Sequence, residues 1–336
     1  MLTGSAACGT MENLSAAQKL DRAFDDLGKE KTLSFELGLD TDAASLRALD
    51  ADAAPGEKIP DEAVDALTSG RITVSLASKK PFAESKEKDF TGQAVKISTA
   101  DGDLIEFRTV GDHAYGRVDV EAISALAGTP APSLDELTGG GEVPAELKPM
   151  EKLFKGEWVK VSTKELEEIG QEAPVPGGSA GMPDFSAATQ KKLVTAVRNV
   201  LTDQVEFETT KEDGDTERIT ATASLRDLAT ALVDEVRPFF KDLKLPADAK
   251  LPTAKELKEV PAKKGSAEFT LKNGDLSELS FDLTQLDKKL KGKKLGIALR
   301  VVDGEAPTAP ANATELKLDG LMGGGFGPGE APTEMS

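Results

Sequence analysis

The chain has 336 residues, 39% of them hydrophobic and 4% aromatic, and a formal net charge of −18. That acidity excludes nucleic acid as a partner, because a phosphate backbone repels such a surface and its binding needs clustered Lys and Arg. No uninterrupted apolar run approaches the roughly 18 residues of a membrane helix, so any hold on a bilayer needs an anchor.

The N-terminus offers a candidate anchor. Cys8, the single cysteine, follows Ser5-Ala6-Ala7 and precedes Gly9. Small residues directly before a cysteine make up the lipobox of bacterial lipoproteins, in which that cysteine becomes the lipidated first residue. A secretory signal also needs a basic segment and an apolar stretch of roughly 7–15 residues. Only Met1-Leu2-Thr3-Gly4 stand upstream, and Ser5 occupies the place where Leu is usual. Two readings follow. Either the start is placed too late on a lipoprotein held at the extracytoplasmic face of the cell membrane, or Met1 is the true start and the chain is cytoplasmic. In both, a lone thiol excludes an intramolecular disulfide and a cysteine-based zinc site.

Residues 1–13 read as lipobox remnant and tether. Ser15 is placed to cap a helix whose Leu14, Ala17, Leu20, Ala23, Phe24 and Leu27 share one stripe, closed by Gly28. From Lys31 to Asp40 the pattern alternates strictly, with Leu33, Phe35, Leu37 and Leu39 on one side and Thr32, Ser34, Glu36 and Gly38 on the other. This predicts a strand with a covered face and a wet face. Residues 41–70 read as two short helices around Ala54-Pro55-Gly56, with Pro60 in the first turn of the second. Strand patterns return at Ile72–Leu76, Val95–Ile97, Leu104–Val110 around Phe107, and Ala114–Val118, with Asp101-Gly102 as a hairpin turn. Helical spacing follows Asp119.

Gly and Pro dominate 128–149 and again 171–183, on either side of a short strand at Glu157–Val161. A long helix is expected over 185–202. A hairpin then joins 205–210 to 217–223 across Asp213-Gly214, and Ser224 caps a helix that Pro238 ends. The clearest hairpin runs from Ala267 through the Asn273-Gly274 turn to Leu283, and a last strand covers Leu295–Val302. Residues 321–336 read as a disordered Gly/Pro-rich tail. About eleven strands, nearly all antiparallel, with helices gathered on one side, give an α+β fold. A division at 171–183 would leave each half exposing a broad apolar sheet face, so residues 14–320 read as a single domain.

Chemistry-bearing motifs are sparse. His113 is the only histidine, and there is no nucleophile elbow, phosphate loop or dinucleotide fingerprint. No cofactor, metal or catalytic residue is assigned, and the chain reads as a non-enzyme. Asp101 with Asp103, and Glu212 with Asp215, sit at turns without the spacing of a calcium loop and read as turn formers. A glycosidase-type carboxylate pair has nothing to select it among 59 acidic residues. Lys79, Lys80, Lys86 and Lys88, and the run Lys288 to Lys294, read as solvated basic loops, the alternative being patches that approach a membrane surface or a partner. Trp158, in Lys155-Gly-Glu-Trp-Val-Lys160, reads as a core anchor or a lining residue.

The order of these elements, with Tyr115–Val120 (Tyr-Gly-Arg-Val-Asp-Val), Gly156–Val161 and the Phe269–Leu283 hairpin, resembles the actinobacterial envelope lipoproteins of the LppX/LprG type, and more distantly the LolA/LolB carriers. The resemblance spans about residues 14–302. It implies a curved, mostly antiparallel half-barrel, with helices packed on its concave side over an apolar cavity, that binds an acylated lipid or lipidated client. It also implies lining from Leu33, Phe35, Leu37, Phe107, Trp158, Phe207, Phe269, Leu271 and Phe281, and an anchor at Cys8. Long loops at 41–70, 128–149 and 171–183 and the truncated lipobox depart from the pattern. The alternative is the same fold with a filled core, presenting a surface to an envelope partner.

Overall fold

The computed structural model describes residues 15–51, 58–131, 148–166, 200, 204–212, 214–238, 250–286 and 290–317. Cys8, the loop expected at 171–183, the helix expected over 185–202 (Val200 apart) and the tail at 321–336 lie outside the described residues.

The strands are β1 (Thr32–Thr41), β2 (Arg71–Ser78), β3 (Phe90–Thr99), β4 (Gly102–Val110), β5 (His113–Val118), β6 (Val159–Ser162), β7 (Glu206–Lys211), β8 (Thr216–Ser224), β9 (Lys264–Lys272), β10 (Asp275–Asp282), β11 (Leu295–Val302) and β12 (Thr314–Glu315). They form one sheet of 12 strands in the order β12-β6-β5-β4-β3-β2-β1-β11-β10-β9-β8-β7. Every neighbouring pair is antiparallel except β12 on β6, which is parallel. β12 and β7 are its two edges, so the sheet is open and not a closed barrel. The first and second halves of the chain meet in its middle, where β1 pairs with β11 over eight residue pairs from Ser34↔Val302 to Thr41↔Leu295. The strand beyond the expected eleven is β12, which at two residues is too short to carry a period.

Local chemistry sets the turns and helix ends. Asn273 and Gly274 have φ of 53° and 90°, the pair of positive values that a tight hairpin turn demands of its central residues. The α-helices among the described residues are α1 (Ala16–Lys29), α2 (Ala43–Leu49), α3 (Asp61–Ser69), α4 (Val120–Leu126), α5 (Lys148–Phe154), α6 (Leu225–Val236) and α7 (Ala254–Glu259). Ser15 caps α1 in a reciprocal box with Gln18, and Ser224 caps α6. α1 runs through Gly28 to Lys29, and Pro60 stands just before α3 as its cap residue, not in its first turn.

α1 builds the core. Its Leu20 and Ala23 bury against Ile219 of β8, Leu271 of β9 and Leu276 of β10, with Phe207, Phe269 and Val301 packed around them. Phe24 meets Phe269 edge to face at 6.3 Å. Lys19 is buried in the same helix face, and its Nζ donates to both carboxylate oxygens of Glu217 at 2.8 and 2.7 Å. An ion pair thus pins α1 to β8 beside an otherwise apolar contact.

Partners across an antiparallel ladder point to the same side of a sheet, so the registers sort every strand residue. One face carries the row Phe107–Val95–Val74–Phe35–Val301 and, beside it, Ile97–Ile72–Leu37–Leu299–Leu279–Phe269–Ile219. α1 packs on this apolar face. α5 and α6 do so too: a side chain at Gly116 would meet Leu153, and one at Gly265 would meet Leu225. The other face is polar. On it Glu36 faces Arg71 at 3.4 Å and Arg300 at 3.7 Å, and Arg300 reaches Glu278 at 2.8 Å.

After β11 the chain crosses that polar face. Gly304 lies directly on the Ser34 side chain, where any β-carbon would collide. Further on, the Pro307 carbonyl approaches Gly92 of β3 so closely that a β-carbon there would sit 3.0 Å away. Arg108 of β4 donates through Nη1 to the Thr308 carbonyl at 3.1 Å. The strap ends as β12, with the Thr314 and Leu316 amides donating to the carbonyls of Trp158 and Lys160 at 2.8 and 2.9 Å.

Candidate functional site

The helices leave part of the apolar face uncovered. Leu37 on β1 is 38% exposed, Ile72 on β2 39%, Val95 on β3 40% and Phe107 on β4 53%, with Ile297 on β11 at 38%. These strands are consecutive in the sheet, and Leu37 pairs with Ile72 as Val95 pairs with Phe107. Scattered apolar residues on a surface are ordinary, but a contiguous band of large ones marks a contact site for a ligand or partner.

The polar side of the same strands is the buried one. Ser34 is 2% exposed and bonds the Ser75 hydroxyl at 2.7 Å, beneath the strap. The expectation of a covered apolar face and a wet polar face is therefore reversed on β1. The cause is the strap, whose eleven residues between β11 and β12 carry no periodicity to announce it.

Leu33, Phe35 and Leu37 all lie on the apolar face, and Phe107 is its most exposed member. Phe281 shares that face through its pairing with Ile297 and Ala267. Phe207 and Phe269 pack at the margin of the α1 core. Leu271, 1% exposed, is filler within that core. Trp158 is a correction: it sits on the polar face, with the guanidinium carbons of Arg108 and Arg117 at 4.7 and 5.1 Å from its ring centroid. Those arginines also bracket the buried Glu106, each at 2.7 Å, and Arg117 pairs with Asp103. The indole serves as a platform for cations, on the face opposite Leu37 and Phe107. Ile72, Val95 and Ile297 were not singled out by sequence, since only the cross-strand register places them beside Leu37 and Phe107.

Other features are occupied by internal contacts. A cleft of about 450 Å³ between the ends of β1, β9, β10 and β11 is lined by Asp40, Glu268, Asp282, Lys293, Lys294 and Gln285 among others. Asp40 pairs with Lys294 at 2.7 Å, Lys293 donates to the Ala48 carbonyl, and Gln285 bonds the Ser266 backbone in both directions. In the other basic loop Lys80 faces Asp89 at 3.4 Å. His113 bonds Asp112 at 2.6 Å, and that bond holds the Asp112 carboxyl below its ordinary value. Asp103 answers Arg117 and Lys96, and Glu212 answers Arg218. Among the described residues no group of three or more metal-ligating side chains converges, and no helix is long and apolar enough to cross a membrane.

No protein-family model matches the chain, and no curated protein matches it significantly. Solved structures match it over most of its length, two mycobacterial lipoproteins among them. The lipoprotein LppX of Mycobacterium tuberculosis is 12% identical with a TM-score of 0.29, over 87% of this chain and 96% of that one. LprF from Mycobacterium bovis is 8% identical with a TM-score of 0.32, over 88% and 96%. The first is of the type that the sequence resembles.

Proposed function

We propose that this chain is a membrane-anchored, extracytoplasmic lipoprotein that takes an acylated lipid, or the acyl chains of a lipidated client, along the uncovered apolar face of its sheet. The observation that carries this reading is the band Leu37, Ile72, Val95, Phe107 and Ile297, each more than a third exposed on neighbouring strands. Burying a CH₂ is worth about 0.8 kcal/mol, so one long acyl tail gains ample free energy from such a surface without polar recognition. Leu33, Phe35 and Phe281 extend the lining on the same face. Cys8 carries the anchor, and residues 14–320 act as one unit, a reading supported by the β1–β11 pairing. The sequence phrases that resemble LppX/LprG-type carriers support the same reading.

Native mass spectrometry of the protein, purified without detergent extraction of bound lipid, tests it. Co-purified acyl lipid is the expected result. A ligand-free protein that also fails to take up a fluorescent sixteen-carbon fatty acid would contradict it, and would favour the reading in which the face docks on an envelope partner.

A further inference from the structure

The two halves of the sheet are braced differently. β7 to β10 carry α1 on their apolar face, where Leu20 and Ala23 close over Ile219, Leu271 and Leu276. The exposed band instead lies on β11 and β1 to β4, and behind β1 to β4, on the polar face, runs the strap. Its contacts fall on the same strands as the band: Gly304 on Ser34 of β1, Pro307 on Gly92 of β3 and Thr308 on Arg108 of β4. It is tied at one end by continuity with β11 and at the other by β12 and the buried Leu316 on β6. Pro307 and Pro310 stiffen the span between, since proline fixes φ and favours extended backbone.

A large open sheet twists and curls, and what packs on it helps set the shape it takes. α3 touches β1 and β3 and α4 touches β4, yet the band stays exposed; fuller helix cover would support these strands at the cost of closing it. We propose that residues 303–316 are a positioning brace, which holds β1–β4 in shape from the polar side so that their apolar side stays free and preorganised for acyl chains. Preorganisation raises affinity by removing an ordering cost from binding. The inference rests on the acyl-binding reading above, and it names the segment on which that site depends.

Two full-length variants test it. Gly304→Leu with Leu316→Asp lifts both ends of the strap, and Pro307→Gly with Pro310→Gly slackens it without altering the sheet. Backbone hydrogen exchange and binding of a fluorescent sixteen-carbon fatty acid are measured on each. The lifted strap is expected to lose exchange protection in β2–β4, keep it in β8–β10 and bind the probe at least tenfold more weakly. The slackened strap is expected to lose about threefold in affinity. Probe affinity within a factor of two of the unaltered protein in the slackened variant would overturn the brace, as would equal loss of protection in both halves of the sheet. If the unaltered protein binds no probe, the acyl reading fails, and the exchange pattern alone still decides whether the strap braces β1–β4.

Discussion

Exposed and buried residues on the same apolar face separate binding from folding. Phe107→Ser alters a ring that is 53% exposed, so its cost in stability is expected to stay near 0.5 kcal/mol while fatty-acid affinity falls several-fold. Leu271→Ala removes a side chain 1% exposed at the α1 contact and should cost about 2–5 kcal/mol, with affinity changed little in molecules that remain folded. Urea titration alongside probe binding reads both, and the reverse pattern would place the site on the α1 side. The Lys19–Glu217 pair makes a second case. Lys19→Met strands a carboxylate whose side chain is 22% exposed and should cost about 3 kcal/mol. Lys19→Met with Glu217→Leu should recover most of that loss, because the penalty comes from an unpaired charge. Trp158 shows where reading single residues fails. Its neighbours Val159 and Lys160 obey the alternation, but β6 is only four residues long, and nothing local says that an aromatic there supports Arg108 and Arg117.

Caps and close approaches govern the elements. Ser15→Ala breaks the reciprocal box with Gln18 at the start of α1 and should cost about 1 kcal/mol. Gly265→Ala puts a β-carbon 2.6 Å from a Leu225 methyl at the first turn of α6, so that side chain must give way, at about 1 kcal/mol. Both show as lowered urea midpoints. The Asp42 cap of α2 adds a pH dependence. The Ser45 amide and hydroxyl hold its carboxyl below the ordinary 3.8, so the unfolded chain takes up a proton first. The cap's contribution is complete above 3.8 and fades as pH falls below it through the lower folded value. A titration of the Ser45 amide signal in that window, abolished by Asp42→Asn, is the expected NMR result; an unchanged signal would contradict it. Most elements were legible because their signals are local: alternation in β1, Asn273-Gly274 in the β9–β10 hairpin, Ser224 before α6. The strap was not, because its place depends on glycine contacts with strands some 200 or more residues away in sequence.

Across the whole molecule, the fold class was readable and the state of its surfaces was not. Alternation announces one apolar face and one polar face, but which face is covered depends on what arrives from elsewhere in the chain: α1 over β7–β10, and the strap behind β1–β4. An open sheet with its polar side tied down and its apolar band uncovered is the arrangement on which the acyl-binding proposal rests. The most direct test is photo-crosslinking with a diazirine-bearing fatty acid, followed by mapping of the adducts by peptide mass spectrometry. Adducts concentrated on the peptides that carry Leu37, Ile72, Val95 and Phe107, and lost when Phe107 and Val95 are made polar, are the predicted result. Adducts on the strap and the polar face, or none that saturate with competing lipid, would contradict it.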